Sequence, residues 1–100
     1  MNDMRAIDVI REYRANMPQP TRTWPEMEFD NKAYSIWAAD ELLMYIDRHA
    51  SWPVVRSVES FRYMVSDYSR TVTNYSEANF VFKIAEEVAS DVMDILNAMM

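Results

Sequence analysis

The chain has 100 residues, of which 50% are hydrophobic and 13% aromatic, with a formal net charge of −6, no cysteine and no glycine. That composition excludes a disordered tail, a disulfide framework and a thiolate metal site, and it opposes the positive balance needed to neutralise many phosphates. Glycine-rich phosphate loops are excluded as well, because they require backbone approach and positive φ that only glycine supplies without cost.

A chain of this length can bury one core, so a single domain over residues 1–100 is expected. The opening residues MNDMRAIDVIREYR carry charges throughout and lack the continuous apolar stretch of a signal peptide, and no run approaches membrane-spanning length. The expectation is a small acidic cytoplasmic protein without direct nucleic-acid or membrane partners. Asn74-Tyr75-Ser76 matches a glycosylation sequon but reads better as a helix entry in that setting.

A first helix is predicted over 3–16, capped by Asp3 or Asn2, with Ala6, Ile7, Val9, Ile10, Tyr13 and Met17 on one side. Arg5, Asp8, Arg11 and Glu12 fall mostly on the other. Pro18 and Pro20 stop it, since the residue before a proline is pushed out of the helical region. Residues 17–29 form the one long loop, and Trp24, Met27 and Phe29 make it too apolar for a solvated linker, so it should pack over a helix.

The second helix is predicted over 30–49, with Asp30 as N-cap. Its stretch Ala33 to Ile46 is apolar except at Ser35, Asp40 and Glu41. Projected at about 100° per residue, it divides into two faces. Tyr34, Ile36, Ala38, Ala39, Leu42, Leu43, Tyr45 and Ile46 form a wide face suited to the core. Ala33, Trp37 and Met44 form a narrow stripe, bordered by Asp40 and Asp47 on one edge and Glu41 and Arg48 on the other. An apolar stripe rimmed by charge is the pattern of an interface, with a tryptophan at its energetic centre. Two coverings are open from sequence: the 17–29 loop through Trp24, Met27 and Phe29, or a second molecule.

Ser51-Trp52-Pro53 reads as the entry to a third helix over 53–72, whose seam is Val54, Val58, Phe61, Val65, Tyr68 and Val72. Asn74 or Ser76 starts a fourth over 76–98, with Val81, Ile84, Ala85, Val88, Val92, Ile95, Leu96 and Met99 as its apolar face. The fold class is therefore all-α, a compact antiparallel bundle of four helices.

His49 is the single histidine, which removes His-pair zinc sites, and its place at the end of the second helix suits an interaction with the helix's negative end. The nine methionines are read as core filling. Glu86, Glu87, Asp91 and Asp94 share one side of the fourth helix at spacings that could hold a magnesium ion, although the reading preferred for such a set is a solvated face. The string EEVASDVMDIL resembles the acidic helix of the all-α MazG-type nucleoside triphosphate pyrophosphatases over about one helix in four. That resemblance implies a magnesium-dependent hydrolase and a facing pair of glutamates three apart, whereas the second helix offers Asp40, Glu41 and Asp47.

Two functional expectations follow. The first is a non-enzymatic interaction module, without cofactor, that binds another protein or itself as a homodimer through Ala33, Trp37 and Met44 with Trp24 nearby. The alternative is a magnesium-dependent hydrolase of nucleoside triphosphates using Glu86, Glu87, Asp91 and Asp94.

Overall fold

The computed structural model describes residues 3–17, 31–72 and 77–99. Four helices run through them: α1 (Asp3–Ala15), α2 (Asn31–Arg48), α3 (Val54–Thr71) and α4 (Glu77–Ala98). No strand occurs among the described residues. The all-α bundle expected from hydrophobic periodicity is what forms. The loop segment 18–29, Asp30 and the start of the fourth helix at Asn74 to Ser76 lie outside the described residues.

With no glycine available, the C-terminal ends of α1, α2 and α3 are closed by side-chain donors together with backbone N–H groups. Asn16 ends α1 with both its backbone N–H and its side-chain amide donating to the Glu12 carbonyl, at 2.9 and 3.2 Å. At the end of α2 the His49 backbone N–H is shared between the Tyr45 and Ile46 carbonyls, both at 3.2 Å, and the ring Nδ1–H donates to Tyr45 at 2.9 Å. These contacts satisfy carbonyls that have no partner inside the helix. Pro53 stands at the N-cap of α3, one residue before the predicted first-turn position, and its carbonyl accepts the Ser57 N–H at 3.1 Å.

The last turn of α3 is closed from within and from α4. Thr71 Oγ1 donates to the Tyr68 carbonyl at 3.0 Å, and the buried Asn79 side chain donates to the Ser69 carbonyl. One residue of α4 thus completes the end of α3.

One buried cluster draws on all four helices: Ala6 and Ile10 from α1, Ala38, Ala39, Leu42 and Ile46 from α2, Val54, Val58, Phe61 and Val65 from α3, and Phe80, Ile84, Ala85, Val88, Ala89, Val92 and Leu96 from α4. The α3–α4 pair makes the most extensive contact. Small residues are buried on both helices, Ser57 and Ser69 on α3 and Ala85 and Ala89 on α4, which suits a close approach. Ser57 Oγ is buried and has no hydrogen-bond partner among the described residues.

The expected α3 seam holds through Val65 and then departs from expectation. Tyr68 is 47% exposed and lies against Phe82 at 5.2 Å between ring centroids, while Ser69 is buried in its place. A straight helix drifts against a strict seven-residue repeat, so the buried line moves by one position toward the end of α3. A serine fits the close approach of α4 there, and a tyrosine does not.

Candidate functional site

Burial divides α2 as the projection does. Ala38, Ala39 and Leu42 are fully buried, Ser35 and Ile46 nearly so, and Tyr34, Ile36, Leu43 and Tyr45 are half-buried at the borders. On the outward side Ala33 is exposed, and Trp37 and Met44 retain 40% and 47% of their surface. Trp24, the fourth member of the expected contact set, lies outside the described residues.

The charged borders of this stripe differ in how they are used. On the α1 side, Arg14 Nε donates to Asp40 Oδ1 at 2.9 Å, with a longer second contact of 3.5 Å to Oδ2. That hydrogen bond and the Asp40 charge raise the Arg14 pKa further, and the contact ties α1 to α2. Asp47 and Glu41 make no ion pair among the described residues.

Beyond Asp47 the surface dips into a cleft of about 400 Å³ between α1 and the α2–α3 corner. The buried Ile46 and Val54 lie at its base, with the half-buried Ile7, Leu43 and Trp52 around them and the exposed Arg11, Asp47 and Ala50 at its mouth. Arg11 is loosely matched by Asp8 at 3.7 Å, an i, i+3 pair in which both side chains are mostly exposed.

The corner beside this cleft is stiffened by a row of flat groups. His49 stacks on Trp52 at 4.2 Å between centroids and lies 4.4 Å from the Tyr45 ring, while the Arg56 guanidinium sits 4.5 Å from the Trp52 ring centre. Tyr45 continues the row into the core, edge-on to Phe61 at 5.7 Å, and its hydroxyl hydrogen-bonds with Ser60 Oγ at 2.7 Å. His49 therefore caps α2 and braces the corner through its ring.

The acidic side of α4 is arranged otherwise. Glu86 and Glu87 are half-buried, Asp91 and Asp94 are exposed, and Asp91 Oδ2 accepts the Tyr13 hydroxyl at 3.2 Å. Partial burial raises the Tyr13 pKa most, followed by the negative charge and hydrogen bond of Asp91 and the charge of Glu87. Among the described residues no three of histidine, aspartate and glutamate are grouped so as to hold a metal ion. Among them, too, no helix is long and apolar enough to cross a membrane.

Sequence periodicity did not indicate the cleft or the flat stack, because each joins residues from separate elements. The stack had one local signal, the crowding of His49, Trp52 and Arg56 around a proline. No known protein family, no curated protein and no solved structure matches the chain.

Proposed function

We propose that the protein is a non-enzymatic cytoplasmic interaction module that binds another protein, or a second copy of itself, through the outward side of α2. The observation that carries this reading is the exposure of Trp37 and Met44, with Ala33, on a helix whose other apolar residues are buried or half-buried. Trp37 is the residue type that dominates binding energy at interfaces, and the charged border around it has the composition of an interface rim. The chain's charge of −6 and its lack of a glycine phosphate loop count against nucleotide or nucleic-acid chemistry at this surface.

The test compares wild type with Trp37→Ala in solution mass and in capture of proteins from the native host. The expected result is a complex or dimer formed by wild type and lost in the variant, with the melting transition of the free protein kept. A variant that unfolds would show Trp37 to be a structural residue and overturn the reading. So would identical mass and identical captured proteins for both.

A further inference from the structure

We infer that α1 is a detachable helix: it leaves and re-docks as a unit while α2, α3 and α4 stay folded, and the groove beneath it takes an amphipathic helix of the same chemistry from another chain. That groove is distinct from the outward side of α2, and neither reading needs the other.

The buried cluster is divided unevenly. α1 gives it Ala6 and Ile10, whereas α4 alone gives seven residues and α2 and α3 give four each. Of the four helices α1 also makes the least contact with the rest. Its two polar ties lie at the surface: Arg14 Nε on Asp40 of α2 at 2.9 Å, with both side chains partly exposed, and the Tyr13 hydroxyl on Asp91 of α4 at 3.2 Å. Toward the start of α1 the cleft of about 400 Å³ opens between Ile7 and the α2–α3 corner, so docking is incomplete there.

Elements with little buried apolar surface and exposed hydrogen bonds open ahead of the global transition. The body of α2, α3 and α4 keeps fifteen of the cluster's seventeen residues when α1 departs, and a freed helix of thirteen residues is marginal in water. α1 therefore alternates between a docked helix and a released, largely unwound segment.

What the vacated groove accepts is read from what fills it. Ala6 and Ile10 stand one turn apart and enter the core, Tyr13 reaches Asp91, and Arg14 reaches Asp40. Helices in grooves are recognised through anchors at such i, i+4 and i+7 spacings. The occupant is thus a segment with a small and a branched apolar residue one turn apart, followed by a tyrosine and an arginine. Residues 16–30 tether α1 at an effective concentration of roughly millimolar, so the chain's own helix competes for the groove and a rival meets only the open fraction of molecules.

Hydrogen exchange of the full chain, in rising denaturant below the unfolding transition, tests the release. The amides of Ile10 and Tyr13 should exchange at least about tenfold faster than those of Val58 and Val88, with a shallower dependence on denaturant. Equal protection and equal slopes would overturn the detachable helix. In full-length Ile10→Asp, α1 should lose its protection while Val58 and Val88 remain protected; loss of protection throughout the chain would overturn it as well.

The probe for the groove is a peptide of residues 3–17 added to isotope-labelled Ile10→Asp protein. It should shift the amides of Leu43, Ile46 and Asp91, bind wild type at least about tenfold more weakly because the intact α1 competes, and cease to bind when the peptide itself carries Ile10→Asp. No binding, or equal binding of the two peptides, would overturn the groove assignment. Shifts centred on Trp37 and Met44 would overturn it too, while leaving the outward side of α2 as the binding surface.

Discussion

On the inward side of α2, Ala38, Ala39 and Leu42 have no exposed surface, while on the outward side the larger Trp37 and Met44 keep 40% and 47% of theirs. Size and hydrophobicity therefore do not decide which residues of this helix are buried. The inward alanines allow α3 and α4 to lie close, and a tryptophan at either position would force the helices apart. The outward residues forgo part of the roughly 1.5–3 kcal/mol that full burial of a large apolar side chain contributes. Part of that stabilisation is therefore left unrealised along one strip of α2.

Leu42→Ala should have the largest effect on this contrast. Deleting a fully buried leucine side chain is expected to cost about 2–5 kcal/mol, measured as a shift of the denaturant midpoint. Ser57→Ala should move stability the other way, by about 1–3 kcal/mol, because it removes a buried hydroxyl that has no partner among the described residues. A loss on that substitution would show that the hydroxyl is satisfied in solution.

Trp37→Ala and Met44→Ala should each cost about 1 kcal/mol, well below Leu42→Ala, since much of each side chain already meets solvent. Equal costs on the two sides of α2 would erase the distinction between them. Asp40→Asn should cost under about 1 kcal/mol, because both members of the Arg14–Asp40 pair are two-fifths or more exposed, and salt should reduce the difference from wild type.

The smallest effect belongs to Tyr13 and appears at alkaline pH. Its folded pKa is raised above the unfolded value of about 10, so its contribution is intact below pH ~10 and declines as the unfolded chain loses that proton above it. Tyr13→Phe should remove this part of the alkaline loss, which a melting series on either side of pH ~10 would show.

Most of the helical framework was readable from period and punctuation. Proline and asparagine marked the ends of α1 and the entry to α3, and the apolar period of α2 separated its two sides. Hydropathy hid the polar interior: Ser57 is buried, and so are Ser69 and Asn79, which meet where Asn79 answers a carbonyl of α3, a contact that no single-helix pattern contains. Tyr68 was misplaced for the same reason. The Arg14–Asp40 tie and the cleft depend on how α1 lies against α2 across a long connection, and a one-dimensional reading has no access to that geometry.

The bond from Asn79 to the end of α3 also bears on the order in which the molecule folds. It joins residues ten apart in the chain, between the two helices that share the most contact and are linked by a short segment. Closing so small a loop sacrifices little chain entropy, so the α3–α4 hairpin is the part of the bundle best placed to form in the transition state. Truncations along it, such as Val88→Ala, should then slow folding, whereas Ile10→Ala in α1 should mainly hasten unfolding. On this view α2 docks its alanine-lined side onto a hairpin already assembled, and Trp37 and Met44 stay turned to water throughout.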